Sequence, residues 1–208
     1  MFKKIKTCLR DVAGIFLFII LLVFAVTAYS QNKLLNYQIL RKGNKVGVLR
    51  FTETISGEMD YLEMESDVKT KLLFIFIAHI REDAIYKNGI LFRSSIYRLL
   101  NGNEKVNKQH QADNRQYIIY KGKDSEVTRI YPITYNMLSL YSKEPENIGK
   151  AYSDNFESFL TIQKVDVHKY KITLPDGSYN YYCYKDGLLN IIEVHHGLYS
   201  ANIVLVNH

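Results

Sequence analysis

Glu193 and His195 stand two residues apart in the sequence, as do Asp166 and His168. Successive side chains of a strand alternate between faces, so each acid would share a face with its histidine, while His196 points the other way. A carboxylate beside an imidazole can relay a proton or supply two ligands to a metal. A zinc ion takes three or four ligands from a protein, and no further residue stands at a recognised metal spacing, so no metal is expected. His79, Glu82 and Asp83 follow an apolar run. They mark charges where a strand leaves the core, and their spacing positions no acid–base pair.

Nucleophilic chemistry finds little support. The pattern Gly-x-Ser-x-Gly is absent, and Gly43-Asn44-Lys45-Val46-Gly47 is better suited to a hairpin than to a phosphate loop. Cys183 lies in a tyrosine-rich strand segment, where a buried, inert thiol is expected rather than a reactive one. No catalytic residue and no cofactor are assigned, and the chain is read as leaning away from an enzyme.

The amino-terminal segment bears on where such residues would work. Lys3, Lys4, Lys6 and Arg10 precede an apolar run from Val12 to Val26, followed by Thr27, Ala28 and Ser30. That order is the layout of a secretory signal peptide over residues 1–30, cleaved after Ser30 or, alternatively, after Ala28. The run is shorter than the ~20 residues of a membrane-spanning helix, so an uncleaved anchor is the rival reading. The expected product is a single β-rich domain, residues 31–208, in the periplasm or outside the cell, with no membrane span after cleavage. It retains one cysteine, Cys183, so its stability must come from a core rather than from an internal disulfide. Its 23 Lys/Arg and 20 Asp/Glu leave a net charge of +3, spread over many short segments. Nucleic-acid binders carry a clustered basic stripe, so no nucleic-acid partner is expected.

Short β-forming runs separated by glycine turns fill residues 35–206. Lys42-Gly43-Asn44, Asn88-Gly89, Asn101-Gly102-Asn103, Lys121-Gly122-Lys123, Pro175-Asp176-Gly177 and Lys185-Asp186-Gly187 all punctuate them, with Asn88-Gly89 the strongest hairpin signal. The spacing predicts a mainly β chain, an antiparallel meander curled into a barrel-like or sandwich sheet. Leu62, Met64 and Val68 alternate with Glu63, Glu65, Asp67 and Lys69; Ile192 and Val194 alternate with Glu193 and His195. Ile90, Phe92 and Ile96 are expected on one side of their strand. Leu72–Ala78 is apolar on both faces, which predicts a central strand covered on both sides or the wall of an apolar cavity.

Pro132–Tyr141 breaks the pattern with helical spacing. One short helix over about 135–141 is predicted, N-capped by Thr134, lying across the end or face of the sheet. Tyr179, Tyr181, Tyr182 and Tyr184 crowd one hairpin arm. Tyrosine suits rims and interfaces, although it is also simply a good strand former.

Pro132–Pro145, Tyr152-Ser153-x-x-Phe156-x-x-Phe159-Leu160, and Leu174-Pro175-Asp176-Gly177 followed by Asn180, Tyr182, Tyr184 and Gly187 carry a family likeness. The chain resembles a family of exported, β-rich proteins of Gram-negative bacteria catalogued only as a domain of unknown function. The likeness extends from Tyr37-Gln38-Ile39-Leu40 to Tyr199. It implies an exported β-rich domain and supplies no reaction, ligand or catalytic residue.

The function expected from these features is non-catalytic binding of an apolar or lipid-like ligand on a concave, tyrosine-lined face. Leu73, Phe74, Ile75, Phe76, Tyr179 and Tyr181 are its candidate lining. The alternative is a structural or assembly protein of the cell envelope that contacts a protein partner. A hydrolase of envelope polymers is the weaker alternative, and the oligomeric state is not legible.

Overall fold

The computed structural model describes residues 31–71 and 75–207. Fourteen strands follow one another, interrupted only by one helical turn: β1 (Gln31–Arg41), β2 (Asn44–Ser56), β3 (Met59–Lys71), β4 (Ile75–Lys87), β5 (Ile90–Leu100), β6 (Asn103–Asp113), β7 (Gln116–Lys121), β8 (Asp124–Thr128), α1 (Ser139–Ser142), β9 (Lys150–Ser153), β10 (Ser158–Asp166), β11 (Lys169–Thr173), β12 (Tyr179–Lys185), β13 (Leu188–His196) and β14 (Tyr199–Asn207). They form one antiparallel sheet in the order β8-β7-β6-β5-β4-β3-β2-β1-β14-β13-β12-β11-β10-β9. Every neighbour is therefore a neighbour in sequence except β1 with β14, which joins the two arms of the meander. β8 and β9 are the two end strands and do not pair with each other, so the curled sheet is open rather than closed.

The turns explain the meander. Lys42-Gly43, Asn88-Gly89, Asn101-Gly102 and Asp186-Gly187 each place two successive residues at positive φ. That is the two-residue hairpin geometry whose twist matches the strands it joins.

Alternation sorts the faces. On β3, Leu62, Met64 and Ser66 are buried while Glu63, Glu65 and Asp67 are exposed. A face carrying those charges is made for water, unlike the apolar outer band of a membrane barrel. On β5 the expected face breaks: Leu91 and Ile96 are buried, but Phe92 is 43% exposed. A β-bulge is the cause, because Leu91 pairs with Tyr86 and Arg93 with Ile85, leaving Phe92 as the extra residue. One added residue reverses which side every later side chain takes.

The strand expected to be covered on both faces also differs. Ile75 and Ile77 are 60% and 45% exposed, and only Ala78 is fully buried. Lys69–Lys71 pair with Ile75–Ile77, whereas β2 reaches β3 only from Gly47 opposite Val68. β5 likewise reaches β4 only from Leu100 opposite Ala78. The described end of the β3–β4 pair thus runs past the ladders of β2 and β5 as a two-stranded ribbon. It is held at its sides only by Asn101, which bonds Ile77, and by Arg41, which bonds Lys71 O, so its apolar side chains stay open.

The interior is filled by the chain itself. Residues 133–141 pass inside the curled sheet and feed both arms. Ile133 and Leu138 pack with Leu35, Tyr37, Phe51, Leu62 and Tyr86, while Tyr135 and Leu140 pack with Tyr170, Ile172, Tyr182, Tyr184 and Ile192. Each such buried aliphatic side chain contributes about 1.5–3 kcal/mol. The helix is shorter than predicted: α1 spans Ser139–Ser142, and Thr134 does not cap it. Tyr152 N donates to Tyr135 O and Met137 N donates to Tyr152 O, both at 2.9 Å. This short parallel bridge with β9 holds residues 135–137 out of a helix. Asn136 takes the capping role, its Oδ1 accepting from Ser139 N at 3.1 Å.

Candidate functional site

The structure breaks up two of the three acid–histidine groups that the sequence suggests and leaves the third engaged elsewhere. Glu82 is on the inner face of β4, while His79 and Asp83 are on its outer face. His79 Nδ1 meets Asp67 Oδ1 at 2.8 Å, and Asp83 accepts a hydrogen bond from Ser95. Glu193 and His195 do share the outer face of β13, 3.9 Å apart. Each is otherwise engaged: Glu193 with Lys169 Nζ at 2.9 Å, His195 stacked on Tyr179 with ring centroids 4.7 Å apart. His168 turns from Asp166 to Glu144, 3.0 Å from both of its carboxylate oxygens. Cys183 is half-buried, and burial pushes its thiol pKa up despite the opposing pull of Lys169. The thiol therefore stays protonated and weakly nucleophilic.

Of the six residues expected to line an apolar cleft, the four that are described do not gather in one place. Leu73 and Phe74 lie outside the described residues. Ile75 faces outward and Phe76 inward at the hairpin tip of β4, whereas Tyr179 and Tyr181 are on the outer face of β12. Five strands separate β4 from β12 in the sheet. Tyr182 and Tyr184 turn into the core at 4% and 6% exposure.

Tyr179 and Tyr181 do come together, and they collect partners. Their rings meet edge to face at 5.5 Å, and His195 touches both. Lys171 Nζ lies 4.4 Å above the Tyr179 ring, and Lys169 Nζ 4.5 Å above that of Tyr181. The strand period builds this cluster. Lys171 is in register with Tyr181, and Tyr179 with His195, so neighbouring strands deliver alternate residues to one outward patch. Two shallow grooves of about 490 and 400 Å³ lie elsewhere, on the outer side around β2 and β3; Arg50, Glu65 and Asp67 are in the lining of the larger.

A second polar cluster, which the sequence did not signal, is buried inside. Asp154 accepts hydrogen bonds from Ser94 and, at 3.1 Å, from Asn136 Nδ2. His110 Nδ1 is 3.3 Å from its Oδ1, too far off line for a hydrogen bond. Tyr86 joins through Ser139 at 2.9 Å and accepts from Asn136 N at 3.0 Å. Burial lowers the pKa of His110 and raises that of Asp154, so the pair favours its neutral forms. Burial also raises Glu82 to about 7, with Asp154 adding to the rise and Arg98 opposing it.

Serine, histidine and aspartate are all here, but in the wrong order for nucleophilic catalysis. The carboxylate holds the serine, so the hydroxyl has no imidazole base. Ser94 and His110 are also fully buried, out of reach of a substrate. The cluster's evident work is to tie β4, β5 and β6 to the inner segment and to the residue after β9. Lys108 and Lys121 extend that tie by binding Glu157 at 2.5 and 2.8 Å, which draws the β9–β10 turn against β6 and β7.

Residues 37–206 match the family described as "Domain of unknown function (DUF6134)". The chain belongs to that family. No curated protein is similar to this DUF6134 chain. Among solved structures it is similar to a β-barrel-like protein of domain of unknown function DUF1849 from Brucella abortus, with a TM-score of 0.57 and 9% sequence identity over 86% of this chain and 96% of that one. At that identity the likeness concerns the fold alone. Among the described residues of the DUF6134 chain, no helix is long and apolar enough to cross a membrane.

Proposed function

We propose that this DUF6134 chain is an exported domain that acts by binding a protein partner in the cell envelope, not by catalysis. The observation that carries the proposal is the outward cluster of Tyr179, Tyr181 and His195 with Lys169 and Lys171 over the rings. The core does not use these tyrosines, and aromatic side chains with adjoining cations are the composition of protein-binding hot spots. Two lysines against one glutamate favour a partner surface that is acidic overall. Export rests on the leader-like residues 1–30. An apolar ligand inside the sheet is less well supported, because Ile133, Tyr135, Leu138 and Leu140 occupy that space.

The test is a photo-crosslinking residue at position 181 in living cells. A discrete protein adduct is expected, lost when Lys169 and Lys171 are both changed to Ala and absent from a probe at Tyr61 on the outer face of β3. No adduct at position 181 refutes the proposal, and adducts only with lipid favour an apolar ligand instead.

A further inference from the structure

We propose that Glu144, Glu146 and His168 form a binding site for a divalent transition-metal ion of the zinc class. One ligand atom from each lies within 4.8 Å of the others. An ion about 2 Å from each donor needs only a small further convergence. The ligands come from two places that the fold sets side by side. Glu144 and Glu146 flank Pro145 in the loop after α1, and His168 is in the turn between β10 and β11.

The surroundings point to a cation independently of the spacing. The Glu144 side chain is only 8% exposed, yet among the described residues no Lys or Arg nitrogen comes within 4.0 Å of it or of Glu146. Lys143 and Lys164 lie instead over the rings of Tyr135 and Tyr170 at 5.7 and 5.9 Å, and Lys169, next to His168, binds Glu193 at 2.9 Å. Two carboxylates thus converge with one imidazole, and of the three only the Glu144 side chain is largely covered. A carboxylate so little exposed needs a cation beside it, and among the described residues His168 is the one candidate within 4.0 Å of Glu144, charged only if protonated. Tyr170 donates to Glu144 Oε1 at 2.6 Å, the kind of outer hydrogen bond that orients a ligating carboxylate. Tyr184 N donates to His168 O at 2.8 Å and fixes the backbone of that turn.

The donor set selects the ion. An imidazole with two carboxylates suits zinc and its first-row neighbours, whereas calcium and magnesium want oxygen alone. Three protein ligands leave a fourth position to water. The ion would fasten the loop that leaves the inner segment to the β10–β11 turn, so binding should be visible as stability.

The test is calorimetric titration of the purified, metal-stripped protein with zinc, alongside thermal melts. One zinc ion per chain is expected, in the micromolar range or tighter. Free zinc a hundredfold above the dissociation constant should raise Tm by about 5–10 °C. His168→Gln and Glu146→Gln, both at exposed positions, should each weaken binding at least tenfold while the metal-free Tm stays near that of the parent. Absence of zinc binding below millimolar concentration overturns the proposal and leaves an ordinary histidine–carboxylate pair. Unchanged binding in His168→Gln also overturns it, as does calcium binding as tight as zinc.

Discussion

Replacing Glu82 by Gln should make the protein more stable at alkaline pH. Glu82 faces the interior between Met64 on β3 and Ile96 on β5, its register partners, both buried. Burial first, and the Asp154 charge second, raise its pKa from the ordinary 4.5 to about 7. The folded protein therefore holds this proton more tightly than the unfolded chain does. Stability from the protonated carboxyl is fully present below pH 4.5 and is lost as pH rises through about 7. The gap corresponds to roughly 3 kcal/mol as a ceiling. Gln keeps the shape and never ionises. Urea unfolding, followed by far-ultraviolet circular dichroism and tyrosine fluorescence, would compare the two proteins at acidic and alkaline pH. The variant should exceed the parent by about 2–3 kcal/mol above pH 8 and differ little near pH 5. His110 and Asp60 also titrate abnormally but are common to both proteins, so the difference reports Glu82 together with its interaction with Asp154. A variant that is no more stable than the parent at alkaline pH refutes the reasoning.

Asp154→Ala strands the Ser94 hydroxyl and the Asn136 amide in the interior. At about 1–3 kcal/mol per unsatisfied group, equilibrium unfolding should show a loss of about 2–6 kcal/mol; a loss below 1 kcal/mol contradicts the keystone role. Leu138→Ala opens a cavity where the inner segment meets the first arm, and a loss of about 2–5 kcal/mol is expected by urea denaturation. Gly47→Ala would place a Cβ 2.3 Å from the Asp67 backbone oxygen, so β2 and β3 must separate locally. A thermal melt should report a loss of about 1–3 kcal/mol, and an unchanged Tm would show that the close approach is relieved elsewhere.

The meander was legible because its signals are local. Asn88-Gly89 and Asp186-Gly187 take positive φ for reasons contained in two residues, and the alternation Leu62-Glu63-Met64-Glu65 sorts its own faces. What sequence reading missed depends on partners far along the chain. The bulge at Phe92 arises from the register with β4, and it moves Leu91 inside. Residues 135–137 read as helix by spacing, but Tyr152 pairs with them and holds them extended. Ile75 and Ile77 looked covered because nothing local shows that β3 and β4 outrun β2 and β5. Ser94, His110 and Asp154 come from β5, β6 and the residue after β9, with no motif to join them. A single histidine in a polar strand was the only sign, and it is not specific. His168 showed its neighbour Asp166, while its actual partner Glu144 is 24 residues away.

Residues 133–141 pack inside the curled sheet, and the binding proposed above is therefore placed on its outer surface. Native mass spectrometry of the gently purified protein tests this most directly. The expected mass is that of the polypeptide, with at most a bound metal ion, and no organic molecule should be released on denaturation. A stoichiometric lipid or other apolar molecule, retained in the folded protein and freed only by unfolding, would contradict it.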